Sequence, residues 1–113
     1  MNFKPELAAK VMDGEKTVTR RLVSDNPRSP WFKGGCSLTV GRDYAVCPGR
    51  GKNQIGRVRV TDCRLLHLGD VGEREARREG FDTQREFAEA WAAINGRWDP
   101  AALVWRIEFE VVA

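Results

Sequence analysis

The sequence predicts an α+β fold, and three patterns carry that expectation. A helical segment with recognisable ends opens the chain, apolar residues recur with period two through the middle and at the end, and a second capped helix lies between those stretches. At 113 residues there is room for one modest core and not for two, so a single domain over 1–113 is expected.

Pro5 suits the first turn of a helix, Leu7, Ala8, Val11 and Met12 fall on one face, and Gly14 offers a left-handed stop. Together they predict a helix over about residues 5–13. Thr17, Val18 and Thr19 are β-branched and favour extended chain. Ser24 to Gly35, rich in proline, glycine and small polar residues, reads as a long functional loop displaying Trp31 and Phe32.

From Cys36 the period becomes two: Leu38 and Val40, then Tyr44 and Val46, with Gly41-Arg42-Asp43 between them as a turn or bulge. Pro48 to Asn53 is a basic turn. In Ile55 to Leu66, Val58 and Val60 face one way and Arg57, Arg59 and Thr61 the other, the pattern of a half-exposed strand. Gly72 to Gly80 predicts one or two charged helical turns.

Thr83-Gln84-Arg85-Glu86 matches a capping box, and Phe87, Ala90, Trp91 and Ile94 follow at i, i+3, i+4 and i+7. Asn95-Gly96 ends that helix, and Asp99-Pro100 makes a second break. Leu103, Trp105, Ile107, Phe109 and Val111 then alternate with Arg106, Glu108 and Glu110, giving a closing strand with an apolar inner face. Trp91 and Trp105 belong to the expected core. Short strands in so small a chain further predict a partly closed β-barrel with flanking helices.

Composition narrows the function. No apolar run approaches the roughly 18 residues that span a bilayer, and MNFKPELAAK reads as folded chain rather than a leader, so a cytoplasmic location is expected. Cys36, Cys47 and Cys63 are odd in number and lack C-x-x-C spacing, and His67 is the only histidine. A disulfide framework and a zinc site are therefore not expected, and neither a metal nor a cofactor is assigned.

Residues 1–64 hold 13 Lys+Arg against 6 Asp+Glu, and 65–113 hold 6 against 10, so the charge is split +7 and −4. Arginine supplies 14 of the 19 cations, and its flat fork suits phosphates, carboxylates and stacked bases. An anionic or nucleotide-like partner is compatible with the first half of the chain.

The basic half contains Gly14-Glu15-Lys16-Thr17-Val18-Thr19-Arg20-Arg21, which concentrates hydroxyls and cations just past a helix stop. Acyl transfer needs a nucleophile, a base and something to hold an oxyanion. A threonine hydroxyl is inert until a base takes its proton, and a lysine serves as base only when burial or neighbouring cations such as Arg20 and Arg21 lower its pKa. In a regular strand Lys16 and Thr19 point to opposite faces, so this chemistry demands that Lys16 sit outside the strand, in the turn after Gly14.

The pattern G-x-K-T-x-T-x-R, present as Gly14, Lys16, Thr17, Thr19 and Arg21, resembles the signature of the ASCH domain, a small β-barrel family related to the PUA fold. The resemblance continues through Gly41 to Val46, Arg78-Glu79-Gly80-Phe81, Phe87 to Trp91 and Val104 to Phe109. It implies one of two activities. Some short bacterial members are amidohydrolases that remove the acyl group from N4-acetylcytidine and related N4-acylated pyrimidines with a lysine, a threonine and a glutamate. Others are proposed to bind RNA or modified nucleotides without turnover.

Carried over by motif, the lysine is Lys16 and the threonine Thr19, and the best match for the glutamate is Glu79, with Glu73 and Glu75 as near neighbours. Either Thr19 or a water molecule is the attacking group, and Glu79 orients the lysine or relays a proton to the departing amine. Thr17, Arg20, Arg21, Trp31, Arg50 and Lys52 complete the expected substrate-binding set. Pro48 to Lys52 lacks the spacing and the following Ser/Thr of a P-loop, which leaves it a basic loop touching phosphate or ribose, or a solvated turn. Trp31 and Phe32 either stack on a base or cover the barrel mouth. Oligomeric state and acyl preference are left open.

Overall fold

The computed structural model describes residues 1–112, in the order α1 (Pro5–Asp13), β1 (Val18–Leu22), β2 (Asp43–Val46), β3 (Gly56–His67), a 3-10 turn at Leu68–Asp70, α2 (Glu73–Arg78), α3 (Gln84–Asn95) and β4 (Leu103–Val112). The four strands form one antiparallel sheet in the order β1-β4-β3-β2. The α+β class is as the sequence predicts, with helices flanking the sheet.

The sheet is not closed into a barrel. β1 and β2 are both edges, because residues 24–42, which would have to supply the closing strand, run as irregular chain. The strand expected at Leu38 and Val40 is absent for the same reason. Gly41 turns the chain at φ +90°, leaving Val40 exposed, and the main chain of this segment bonds to β3 where Gly41 N–H donates to Val60 O and Val60 N–H to Arg42 O. Cys36 also ties the loop to β3, its sulfur 2.8 Å from that of Cys63.

Each face of the sheet buries its own cluster. Phe3 and the α1 residues Ala8 and Val11 pack with Val46, Val58, Val60, Ile107 and Phe109 on one face. On the other, Ala76, Phe87 and Trp91 from α2 and α3 pack with Leu68, Val71 and Val104. β4 is thus a central strand covered on both sides: beyond its apolar inner face, Val104 and Arg106 on the other face are buried as well. β3 keeps its alternation only to Val60. A register shift between Val60 and Asp62 then turns Cys63 toward the first cluster.

The helix ends follow the local chemistry. Gly14 takes φ +82° and its N–H, with that of Glu15, bonds back to the last turn of α1. Thr83 Oγ1 accepts the Glu86 N–H at 3.1 Å, while the Glu86 carboxylate accepts from Asp82 N rather than Thr83 N, so the capping box is shifted by one residue on its return arm. Trp98 joins the second cluster edge-to-face with Phe87, and His67 sits exposed at the end of β3.

Candidate active site

Because α1 ends at Gly14 and β1 begins only at Val18, Lys16 lies in the connecting turn, outside the strand, as the chemistry demands. Lys16 N–H donates to Lys10 O, while Thr17 N–H donates to Arg78 O and ties the turn to the end of α2. The Lys16 side chain is 2% exposed. Its ammonium donates to Val18 O (2.9 Å), Glu79 O (2.8 Å) and Glu79 Oε1 (2.9 Å), which satisfies all three N–H bonds.

Glu79, 3% exposed, caps α2 beside Gly80, whose φ of +97° turns the chain sharply there. Glu79 bridges two cations: its second oxygen accepts from Arg20 Nη1 at 2.8 Å. The glutamate that meets Lys16 is therefore Glu79. Glu75 holds the other side of the Arg20 fork (2.7 Å) and also accepts from Arg106 (2.6 Å), whereas Glu73 accepts from the Gln84 N–H.

Burial pushes the Lys16 ammonium below the usual lysine range; Arg21 and Arg20 add to that effect and Glu79 opposes it. Burial also works to raise the Glu75 carboxyl, but the hydrogen bonds and charges of Arg106 and Arg20 prevail and hold it down at about 2.

Thr19, on the opposite face of β1 from Arg20, accepts a hydrogen bond from Arg21 Nη1 at 2.9 Å through Oγ1. That bond uses the oxygen's lone pair and leaves its proton free to be given away. Arg21 is itself fixed: its Nη2 donates to Asn2 O (2.9 Å), and its guanidinium lies over the rings of Phe3 (5.2 Å) and Trp31 (5.8 Å). Burial lowers its pKa. Lys16 and Thr19 are not hydrogen-bonded to each other; each faces the same hollow through its own set of contacts.

That hollow is a cavity of about 450 Å³, within the range of small-molecule sites, wrapping the free edge of β1. Its floor is Lys16, Thr19, Arg20, Arg21 and Glu79. Phe81, Phe87, Ala90, Trp91 and Ile94 form an apolar wall, and Arg50 stands on the rim with Asn2. Three expected substrate-binding residues lie outside it. Thr17 spends its main chain on Arg78 and Phe109, Lys52 is exposed on the 48–53 turn, and Trp31 sits behind Arg21, packed on the first cluster with its carbonyl accepting from Trp105 Nε1.

The sequence reading missed the apolar wall, and it named Glu75 only as a neighbour of Glu79, not as the partner of Arg20 and Arg106. For the wall a signal was present: Phe87, Ala90, Trp91 and Ile94 share one stripe, yet Ile94 is 57% exposed, because the stripe runs past the sheet and over the cavity. The Glu75 pairing had no such signal, since the crossing of α2 over β1 and β4 is what brings that carboxylate between Arg20 and Arg106.

Comparison with solved structures agrees on the fold. An ASCH domain from Lactobacillus crispatus JV V101 superposes with a TM-score of 0.72 at 20% identity, covering 94% of this chain and 70% of that one. Protein EF3133 from Enterococcus faecalis V583 gives 0.65 at 22% identity, with 95% and 67% covered. A point mutant of ZmASCH from Zymomonas mobilis gives 0.59 at 13% identity, with 97% and 66% covered. No match was found among curated protein sequences. The ASCH domain family model matches residues 1–113, and with the fold and the Gly14 to Arg21 turn in place, the chain belongs to the ASCH domain family, whose fold is PUA-like.

Proposed function

We propose that this protein is an amidohydrolase that removes the acyl group from N4-acetylcytidine and related N4-acylated cytosine nucleosides. ASCH domains are associated with RNA or nucleotide binding and include proposed hydrolases. One observation carries the finer reading: a buried lysine of lowered pKa, its carboxylate partner and a threonine hydroxyl with a free proton all face one cavity of nucleoside size.

In this mechanism Lys16 passes a proton to Glu79 Oε1 across the existing 2.9 Å hydrogen bond and becomes a neutral amine. The amine swings from Val18 O and takes the proton of Thr19 as Oγ1 attacks the acyl carbonyl carbon. Arg21, already on Oγ1, stabilises the oxyanion that forms. Collapse breaks the bond from the acyl carbon to N4, and N4 takes the proton that Glu79 holds, releasing cytidine. Water then hydrolyses the threonine ester, giving the carboxylic acid and restoring Thr19. Arg20, held by Glu79 and Glu75, acts as a positioning residue that keeps the Glu79 carboxylate facing Lys16.

The test is to incubate the protein with N4-acetylcytidine and with longer N4-acyl homologues and to follow cytidine. Release with at least one acyl group is expected; none with any of them contradicts the enzyme reading. A binding module is the second reading, favoured by Arg50 on the rim and by exposed Arg57, Arg59 and Arg64 along β3. It predicts RNA affinity that falls with salt and no cytidine release.

A further inference from the structure

The free edge of β1 offers its main chain to the cavity. Phe109 N–H donates to Thr17 O (3.0 Å) and Val23 N–H to Leu103 O (3.1 Å), so the odd-numbered residues of this segment bond to β4. An antiparallel strand alternates the direction of its amide groups, so Val18, Arg20 and Leu22 turn theirs outward. Two side-chain bonds mark that outward edge: Lys16 Nζ to Val18 O (2.9 Å) and Arg21 Nη1 to Arg20 O (3.4 Å).

Among the described residues, the outward edge leaves unbonded the N–H groups of Val18, Arg20 and Leu22, the Leu22 carbonyl and one lone pair on the Arg20 carbonyl; of these, the Arg20 carbonyl and the Leu22 N–H stand next to each other toward the exposed end of β1. Both residues line the cavity, and Leu22 is 45% exposed there. An outward carbonyl at one residue and an outward N–H two residues on form an adjacent acceptor and donor, spaced for the edge of a flat heterocycle.

Cytosine carries the complement. Its N4–H donates and its neighbouring N3 accepts, in the nucleoside and in its N4-acyl form alike. Uracil presents the reverse pair, with O4 accepting and N3–H donating. We propose that the Arg20 carbonyl accepts N4–H and the Leu22 N–H donates to N3, so that the β1 edge selects cytosine over uracil. This rests on the reading of the site as an N4-acylcytosine hydrolase. In that pairing N4 lies nearer Val18 than N3 does, which leaves the acyl group at the Lys16 end of the edge. Recognition through main chain also accounts for an apolar Leu22 beside a polar floor.

The experiment has two arms. Amide NMR of the ¹⁵N-labelled protein titrated with cytidine and then uridine should move the Leu22 amide downfield with cytidine and leave it in place with uridine. Leu22→Pro removes that N–H while sparing the ladder, since it has no bond to β4, and should weaken N4-acetylcytidine binding by about tenfold or more, beyond the effect of Leu22→Ala. A Leu22 amide unmoved by cytidine, or moved equally by both nucleosides, overturns the proposal whatever the variant does. Cytidine release without a Leu22 shift overturns the edge reading and keeps the hydrolase. A cytidine-selective shift without N4-acetylcytidine turnover supports the edge reading and removes the hydrolase.

Discussion

The two edges of the sheet are treated differently. The β2 edge is occupied by the chain's own start: Phe3 N–H donates to Cys47 O, Cys47 N–H to Met1 O, and the Met1 ammonium to Ala45 O. The charges along β2 and its β3 neighbour are solvated, as in the Asp43–Arg59 pair. The β1 edge has no strand beside it and carries the most deeply buried ion pairs in the described residues, Lys16–Glu79 and Arg20–Glu79. An uncovered strand edge invites unwanted pairing, and desolvating two cations around one carboxylate is costly. Plugging one edge with main chain and leaving the other open around buried charge is the contrast on which the proposed ligand site at β1 rests.

The largest effect on the fold is expected at Glu79. Replacing it by Ala strands Lys16 and Arg20 in the interior without their shared carboxylate, and should cost about 3–5 kcal/mol in a denaturant titration. A loss below about 1 kcal/mol would place this pair with the solvated ones at β2.

Thr19→Val keeps the shape of a fully buried residue but removes the hydroxyl that Arg21 holds. The protein should fold while cytidine release falls by about 10²-fold or more; retained activity would assign the attack to water.

The pH dependences run in opposite directions. Glu75, at about 2 in the folded chain against an ordinary 4.5, contributes its stability in full above pH 4.5 and loses it as pH falls toward 2. Glu75→Gln should flatten that acid limb of a thermal-melt series. In the mechanism the Lys16–Glu79 pair must hold the one proton that reaches N4, so kcat should stay level through neutral pH and fall as the pair loses that proton, below the ordinary lysine value of 10.5. The smallest effect belongs to the other edge: Asp43→Ala should change stability by no more than about 1 kcal/mol and leave cytidine release unaltered.

Much of the site was legible because its logic is local. The glycine stop at Gly14 and the β-branched run behind it place Lys16 in a turn, and the capping box with its apolar stripe marks α3. What escaped depends on which segments meet. The register shift in β3, the failure of residues 36–42 to become a strand and the burial of Arg106 under α2 are set by pairing across the sheet, which periodicity along one segment does not encode. Thr17, Trp31 and Lys52 share a motif or a charge pattern with the site and yet lie outside the cavity: Thr17 is tied by its main chain to Arg78 and Phe109, Trp31 packs on the first cluster behind Arg21, and Lys52 is exposed on its turn.

The most direct test is cytidine release from N4-acetylcytidine by the wild-type protein and by Lys16→Ala, each checked for folding by its melt. The account predicts turnover in the first and a fall of about 10²- to 10⁴-fold in the second. Equal rates in two folded proteins, or no release by either, would contradict it.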